Sequence, residues 1–327
     1  MLEGKRILVT GGAGFIGSNL CEFFLQKNEV YCLDNLLTGH KSNIAHLINH
    51  PHFTFIEGDV RDYETCLKAA QDIDIIFHQA ALGSVPRSIE IPLNTNAHNI
   101  TGFLNMLEAA KNASVKRFVY ATSSSVYGDH SHLPKEEGKI GKPLSPYAVT
   151  KYLNEMYADV YARLCGTETI GLRYFNVFGR RQDPDGVYAA VLPRFIKLLQ
   201  DGAPITVNGD GEQTRDFTYI DNVIHANVLA ATVQDNSALN TVYNIACGST
   251  ITLNELIDTI QTSFTENDYS HGEFNVVYGP KRTDDIEHSY ASIDKAVQHL
   301  NYNPTVDLKE GIKRYLAFLV LNEFSEL

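Results

Sequence analysis

The sequence predicts an α/β fold: a doubly wound parallel sheet with a smaller α+β domain in the C-terminal half. Through the first half, short runs of β-branched and aliphatic residues alternate with amphipathic helical patterns. Alternation of this kind places strands in parallel, with helices on both faces of the sheet. After Asn176 the chain becomes rich in turns, which predicts the second, less regular domain.

Six strands and three long helices are predicted in the first half. The strands cover 6–10, 30–33, 53–57, 73–77, 117–121 and 169–173, and the helices cover 15–26, 96–111 and 148–164. A further apolar helix and strand, at about 220–246, are expected to return to the main sheet. Turn-rich segments lie at 179–186, 208–211 and 279–282. We therefore expect a main domain of residues 1–177 plus about 220–246. The second domain, about 178–219 plus 247–327, is expected to close over the carboxyl edge of the sheet.

Composition limits the classes of partner. The chain has 327 residues, of which 44% are hydrophobic, enough for a sizeable core in one or two domains. Its 27 basic and 39 acidic residues give a net charge of −12, so the surface should repel nucleic acid and anionic membranes. We expect neither as a partner, and an anionic ligand would need a local basic pocket.

Cysteine usage and apolar runs bear on location. The five cysteines are odd in number, widely spaced and without a C-x-x-C pair: Cys21, Cys32, Cys66, Cys165 and Cys247. This argues against a disulfide framework and a zinc site, and fits a reducing compartment. No apolar leader precedes the first strand, and the stretch 315–321 is too short to cross a membrane. A cytoplasmic protein without a metal is expected.

A glycine-rich turn, Thr10-Gly11-Gly12-Ala13-Gly14-Phe15-Ile16-Gly17, joins the first strand to the first helix. The glycines at 11, 14 and 17 allow a tight turn, close approach of a pyrophosphate and close packing of helix on strand. Asp34 ends the second strand about 20 residues later, where a carboxylate can bind ribose hydroxyls and would repel a 2′-phosphate. The pattern predicts a Rossmann-type site for NAD rather than NADP; an ordinary surface turn is the alternative.

Of the 17 tyrosines, only Tyr147 has a lysine four residues later, Lys151. Positions i and i+4 of a helix share one face, so the phenol and the ammonium can meet in one space. A nearby cation favours phenolate, and bringing a phenol pKa from about 10 to neutrality takes about 4 kcal/mol. The pair is therefore a candidate acid/base, unless it is an exposed tyrosine beside a solvated lysine.

The G-x-x-G-x-x-G spacing and the Tyr147/Lys151 pair resemble the extended short-chain dehydrogenase/reductase family over nearly the whole chain. Within it, the stretches 81–88, 143–152 and 175–184 are most similar to bacterial UDP-N-acetylglucosamine 4-epimerases. The resemblance implies that NAD is the cofactor and that Tyr147, Lys151 and Ser123 are catalytic. It implies cofactor contacts from Gly11, Gly14, Phe15, Ile16, Gly17, Asp34, Asn35, Asp59, Val60, Gln79, Ala80, Ala81, Asn99, Thr122, Tyr147, Lys151, Tyr174 and Val177.

The serines after the fifth strand separate related chemistries. Nucleotide-sugar dehydratases resemble this chain but carry Asp and Glu where Ser124 and Ser125 stand, and the related decarboxylases keep a Glu at the second position. Elimination of water needs such an acid/base pair, which serines do not supply at neutral pH. Dehydration is therefore disfavoured.

The resemblance also implies a nucleotide-sugar site. Arg215 and Arg282 would bind a diphosphate through charge-assisted hydrogen bonds. The usual R-x-G-D of the family reads Arg282-Thr283-Asp284-Asp285 here, which is a departure in the local backbone. Epimerases restricted to sugars without an acetamido group resemble this chain but have tyrosine where Ser289 stands. The implied substrate contacts are Ser84, Ser123, Ser124, Ser125, Tyr147, Asn176, Gln182, Ala190, Val191, Asn208, Arg215, Arg282, Asp285 and Ser289.

The function that the resemblance implies is reversible C4 epimerisation of UDP-N-acetylglucosamine and UDP-N-acetylgalactosamine in polysaccharide synthesis, through a 4-keto sugar and transient NADH. UDP-glucose and UDP-galactose are open as further substrates. A homodimer through the helices 96–111 and 148–164 is expected on the same basis. Two alternatives remain. A UDP-glucuronate 4-epimerase or decarboxylase would need a group that recognises a carboxylate, and the sequence does not identify one. A non-catalytic NAD-binding regulatory protein is the other, and such proteins commonly lack the Tyr/Lys pair.

Overall fold

A computed structural model describes residues 2–185, 190–267, 269, 274–281 and 287–323. The strands in chain order are β1 Arg6–Thr10, β2 Glu29–Asp34, β3 Phe53–Glu57, β4 Ile75–His78, β5 Arg117–Ser123, β6 Glu168–Tyr174, β7 Val177–Phe178, β8 Ile205–Asn208, β9 Thr214–Arg215, β10 Thr218–Tyr219, β11 Thr241–Ile245, β12 Ile251–Thr252, β13 Val276–Gly279 and β14 His288–Ser289. The helices are α1 Phe15–Leu25, α2 Tyr63–Ala70, α3 Val85–Glu90, α4 Pro92–Asn96, α5 Gly102–Asn112, α6 Pro146–Cys165, α7 Val191–Gln200, α8 Ile220–Thr232, α9 Leu253–Glu266, α10 Asp294–Leu300 and α11 Leu308–Glu323.

Seven of these strands form one parallel sheet in the order β11-β6-β5-β4-β1-β2-β3. Its central strands are apolar at successive positions because both faces are covered by helices. On β1, Ile7 and Val9 belong to one buried core, and Leu8, which points the opposite way, belongs to the other. The predicted doubly wound parallel α/β fold is confirmed.

The predicted segment at about 220–246 does return to the sheet. Helix α8 contacts β5 and β6, and β11 pairs in parallel with β6 at the edge. The remaining C-terminal strands form small separate sheets, β7 with β10, β8 with β13, and β12-β9-β14. Among the described residues, none of the helices is both long enough and apolar enough to span a bilayer.

The predicted helix 96–111 differs from the structure. It starts at Pro92, a residue suited to a first helical position because it lacks an N–H that would otherwise be unpaired. The helix then passes through a π turn, Ala97–Thr101, before α5 continues it. A π turn adds one residue to a helical turn and so rotates the following side chains, which apolar periodicity does not indicate. This turn brings His98 and Asn99 to the base of the site described below.

Candidate active site

A cavity of about 530 Å³ lies along the carboxyl ends of β1, β2, β4, β5 and β6. Ligands of open parallel sheets bind at this edge. The glycine-rich turn forms one wall. Gly11 has a φ of +66°, and a Cβ atom there would lie 2.7 Å from the backbone nitrogen of Ala80. The turn therefore requires glycine, and it leaves a cradle of backbone N–H groups at the N-terminus of α1.

Asp34 lies at the end of β2 in the same cavity. Its Oδ2 accepts a hydrogen bond from the Ala13 nitrogen at 2.9 Å, and its Oδ1 accepts one from the Leu36 nitrogen at 2.8 Å. Burial raises the pKa of Asp34, although those backbone bonds oppose the rise. A carboxylate held this way still has free lone pairs for two ribose hydroxyls, so the residues present fit NAD.

Tyr147 and Lys151 reach the cavity from the first two turns of α6. The helix begins with Ser145, whose hydroxyl accepts a hydrogen bond from the Ala148 nitrogen at 3.1 Å. Lys151 is 3% exposed, and its Nζ donates to the Ala121 carbonyl at 2.9 Å. Burial lowers the pKa of Lys151 to about 8, and the charge of Glu155 opposes the fall.

The lowered Tyr147 pKa that the sequence predicts depends on two cations, Lys151 and the positive nicotinamide ring of NAD, and the chain itself supplies one of them. Burial raises the pKa of Tyr147, and a hydrogen bond with Ser123 offsets part of the rise. The reason is desolvation: a phenolate in a buried site loses its hydration. A bound cation is needed to reverse the balance.

Of the three serines after β5, only Ser123 lines the cavity. Its backbone is still extended, and its hydroxyl accepts a hydrogen bond from the Ser125 nitrogen at 3.1 Å. Ser124 and Ser125 begin a short 3₁₀ turn and do not line the cavity.

Asn99 lies beneath the cavity rather than in its lining. Its Oδ1 accepts a hydrogen bond from the Leu82 nitrogen at 2.7 Å, and its Nδ2 donates to the Leu82 carbonyl and to Thr150 Oγ1, both at 3.1 Å. Asn99 therefore holds the loop after β4 against the α6 residue that precedes Lys151.

Tyr174, at the end of β6, faces the cavity with its hydroxyl anchored. Its oxygen accepts from Asn227 Nδ2 at 2.9 Å and from Gln79 Nε2 at 3.3 Å. Because Ser123 and Tyr174 are directly paired in the sheet, the two side chains enter the site side by side.

The structure brings most of the residues named from sequence to this one cavity: Gly11, Gly14, Phe15, Ile16, Gly17, Asp34, Asn35, Val60, Gln79, Ala80, Ala81, Thr122, Ser123, Tyr147, Lys151, Tyr174, Asn176, Val177, Gln182 and Ala190. Other described candidates do not line it: Ser84, Asp59, Asn99, Ser124, Ser125, Val191, Asn208, Arg215 and Ser289. Arg282 and Asp285 lie outside the described residues.

Two of those candidates lie together elsewhere. Arg215 lines a separate cavity of about 510 Å³, with Phe217 and Lys309. Its guanidinium donates to the carbonyls of Thr214 at 2.9 Å and Glu287 at 3.2 Å. Ser289 pairs with Arg215 across β14 and β9, so these two share one small sheet.

Sequence reasoning missed several lining residues: Leu33, Leu37, Thr38, Gly39, Gly58, Leu82, Gly83, Arg87, His98, Ala121 and Asp183. Most of them follow the end of a parallel strand, and that position was a signal that could have found them. His98 had no such signal, because its place depends on the π turn.

The geometry agrees with comparisons to known proteins. The model of the NAD dependent epimerase/dehydratase family matches residues 7–246. A protein of Methanocaldococcus jannaschii named putative UDP-glucose 4-epimerase is 39% identical, over 97% of this chain and 99% of its own. The structure of a UDP-N-acetylglucosamine 4-epimerase from Methanobrevibacter ruminantium, with UDP-N-acetylmuramic acid, is 35% identical, with a TM-score of 0.91 over 98% of this chain and 100% of its own. A UDP-glucuronic acid 4-epimerase from Bacillus cereus, with UDP-glucuronic acid and NAD, is 33% identical, with a TM-score of 0.86 over 97% and 99%.

Proposed function

Because this chain belongs to the NAD-dependent epimerase/dehydratase family, with NAD as its cofactor, we propose that it inverts C4 of a UDP-sugar. One observation carries the proposal. A single cavity contains the glycine-rich turn and Asp34 at one end, and Tyr147, Lys151 and Ser123 at the other. A dinucleotide that spans this length would lie with its reactive end beside a buried phenol.

The chemistry that NAD supplies when bound is reversible acceptance of a hydride. The backbone N–H groups after Gly11 would bind its pyrophosphate, and Asp34 would bind its adenosine ribose. Lys151 contributes a buried cation beside the phenol. Its ammonium, already donating to the Ala121 carbonyl, has two further N–H donors for a ribose or for the phenol oxygen.

Tyr147 is the proposed acid/base. Its phenolate takes the proton from the C4 hydroxyl, and the resulting phenol later returns it to the same oxygen, after the sugar has turned its other face to the site. Ser123 would hydrogen-bond to the C4 oxygen in both of its states, since a serine hydroxyl can donate and accept hydrogen bonds. The hexose must be held loosely enough to turn while the UDP stays bound, which is consistent with the few charged side chains at this end of the described cavity.

The residues around the phenol favour epimerisation over dehydration. Ser123, Ser124 and Ser125 offer no carboxyl group, and Ser124 and Ser125 do not line the cavity. Elimination of water needs a further acid/base pair close to the sugar.

For the hexose, we propose UDP-N-acetylglucosamine and UDP-N-acetylgalactosamine. The support is the residue at position 289. Epimerases restricted to sugars without an acetamido group resemble this chain but have tyrosine there, whereas this chain has Ser289, which is small and half-buried on β14. Ser289 does not line the described cavity. The resemblance implies that a tyrosine ring at this position would overlap an acetamido group, and such overlap costs about 1–3 kcal/mol.

UDP-glucuronate is a second candidate, on one specific observation. Arg87 and Lys151 are the arginine and the lysine in the described lining of the cavity. An arginine is the residue best suited to bind a C6 carboxylate in two-point fashion. The sequence alone gave no such group.

The experiment is NMR of UDP-N-acetylglucosamine, UDP-glucose and UDP-glucuronate after incubation with the purified protein. We expect conversion of the first to its C4 epimer, and none of it in Tyr147→Phe, which should still carry NAD. Preferred turnover of UDP-glucuronate would select the second candidate. Activity retained by Tyr147→Phe would exclude the proposed acid/base.

The division of the chain into two domains stays a proposal. We also propose a homodimer. On α4 and α6, apolar side chains face outward, among them Leu93 at 85% exposure and Leu164 at 76%. Val149, Met156 and Val160 extend the apolar surface along α6. A surface of this kind is typical of a contact between subunits. Sedimentation of the purified protein tests it.

A further inference from the structure

A buried ion pair lies one helical turn below Lys151. Glu155 on α6 and Arg173 on β6 are 7% and 3% exposed in their side chains. Arg173 binds both carboxylate oxygens, Nε to Oε1 at 2.9 Å and NH2 to Oε2 at 2.7 Å. Neither residue lines the cavity.

Glu155 also binds β5, the strand that ends at Ser123. Thr122 donates its hydroxyl hydrogen to Glu155 Oε1 at 2.7 Å. Thr122 and Arg173 are direct partners across β5 and β6, so one carboxylate joins two adjacent strands to α6 at the same level of the sheet. The next pair along is Ser123 with Tyr174, which both face the cavity.

Lys151 is also hydrogen-bonded to β5, one residue before Thr122. Its Nζ donates to Ala121, the residue before Thr122. Two successive residues of β5 are therefore held by two successive turns of one helix face, Ala121 by Lys151 and Thr122 by Glu155.

We infer that Glu155 is a positioning residue for Tyr147 and Lys151: it fixes α6 against β5 and β6 and places a negative charge on the helix face that carries Lys151. The inference rests on the proposed function, because it concerns the residues that would move the proton. Residues i and i+4 of a helix lie on the same face, so Glu155 and Lys151 are neighbours on α6.

The other titratable groups around the pair do not replace this charge. Burial lowers the pKa of His78 to about 3, which leaves that ring neutral. Burial raises the pKa of Tyr120 well above its usual value and those of Tyr127 and Tyr174 to about 12, which leaves the phenols protonated.

Further groups on neighbouring elements are occupied elsewhere. His98 on the π turn faces the Asn94 carbonyl through Nδ1 at 2.9 Å, and Lys295 on α10 donates to Thr241 Oγ1 and to the Val242 carbonyl. Glu108 on α5 accepts from Tyr161 and Lys111, toward the far end of α6. Glu137 accepts from the Asn244 nitrogen. Arg173 is a cation already bound by Glu155, and it acts on Lys151 in the opposite sense.

The test is a pH titration of Lys151 itself in the NAD-loaded protein, by NMR of lysine labelled with ¹³C at Cε. Lys151→Arg identifies the signal. In Glu155→Gln, which keeps the shape of the side chain and removes its charge, the titration should move to lower pH by about one to two units. The alkaline limb of the kcat profile should move with it.

Two further variants keep the test decisive. Glu155→Gln with Arg173→Met removes both charges and leaves no unpaired buried ion, so it should fold even if the single variant does not. Its titration should move in the same direction by a smaller amount. Thr122→Val removes one hydrogen bond without changing charge, and should leave the titration where it is.

An unchanged Lys151 titration in both charge-removing variants would overturn the inference, and would make the pair purely structural. An equal shift in Thr122→Val would overturn it as well. The NMR comparison needs no turnover, so it still decides the inference if the protein epimerises none of the UDP-sugars and the proposed function fails.

Discussion

The amide of Asn99 donates to the hydroxyl of Thr150 at 3.1 Å, and this contact joins a π turn to the helix that carries Lys151. Thr150 in turn donates to the Tyr147 carbonyl of its own helix at 2.8 Å. Its hydroxyl therefore accepts a hydrogen bond from the π turn and donates one within α6. Both side chains are buried, at 1% and 3% exposure. Placement of the proposed catalytic pair, Tyr147 and Lys151, therefore depends on a buried polar contact outside the cavity lining.

We expect Thr150→Val to reduce stability and turnover together. Valine keeps the shape but leaves the buried Asn99 amide with an unpaired hydrogen, a loss of about 1–3 kcal/mol. Urea denaturation and kcat measure the two effects. Thr265→Val is the matched control, because Thr265 makes the same kind of bond to a helix carbonyl, Gln261 at 3.0 Å, on an exposed surface. Equal losses in the two variants would contradict a special role for the contact.

The glycine-rich turn gives a second prediction. Gly11→Ala should weaken NAD binding by more than about tenfold, because it places a side chain at a φ of +66° and against the Ala80 backbone. Isothermal titration with NAD, on protein freed of cofactor, measures the loss. Gly138→Ala is the control, since a Cβ there meets no atom within 4 Å. NAD affinity that is unchanged in Gly11→Ala would mean that the turn does not form the cradle.

The turn at Gly11 could be predicted from the sequence, whereas the contact between Asn99 and Thr150 could not. The turn at Gly11 is read from adjacent residues, because a left-handed backbone and a following helix are local properties. The strands were predicted for the same reason: continuous apolar runs report burial on both faces. The Asn99 contact with Thr150 spans two helices and depends on an extra residue in a turn. No local pattern encodes either feature.

The same difference, between local patterns and contacts of distant elements, explains which proposed substrate residues the sequence could place. The resemblance named Ser123, and its place at the end of β5 is consistent with a site there, since the ends of parallel strands meet at one edge of the sheet. Arg215 was named from resemblance alone, and its short strand belongs to a three-stranded sheet whose partners, β12 and β14, lie far along the chain. Pairing over such separations depends on tertiary packing. The structure accordingly puts Arg215 beside Phe217 and Lys309, in a second cavity.

His78 should make the protein less stable in mild acid. Its Nδ1 faces Thr10 Oγ1 at 2.9 Å, and burial, with a smaller contribution from the charge of Lys151, lowers its pKa to about 3. As the pH falls below the ordinary histidine pKa of 6.5, the unfolded chain takes up a proton that the folded ring does not. This contribution to stability is therefore present above about pH 6.5 and is lost as the pH falls.

The size of the effect can be measured by difference. Between pH 7 and pH 5, His78 should cost the folded state about 2 kcal/mol, so His78→Phe should lose about that much less stability over the interval than the unsubstituted protein. Urea denaturation at both pH values gives the comparison. His50→Phe, at an exposed site, should lose as much as the unsubstituted protein. A His78→Phe protein with the full acid loss would show that this ring titrates normally.

Ser289 carries the proposed choice of sugar, and Ser289→Tyr tests it. The substitution should lower kcat/KM for UDP-N-acetylglucosamine by about ten- to a hundredfold more than for UDP-glucose, because only the first has a group that the ring would overlap. His288→Tyr is the control: His288 is the preceding residue on the same strand, is exposed, and points to the opposite face. It should leave the ratio of the two substrates unchanged. If Ser289→Tyr reduces kcat/KM for both substrates equally, the overlap argument is wrong, and the preference must come from other groups, such as Arg87 and His98 in the cavity lining.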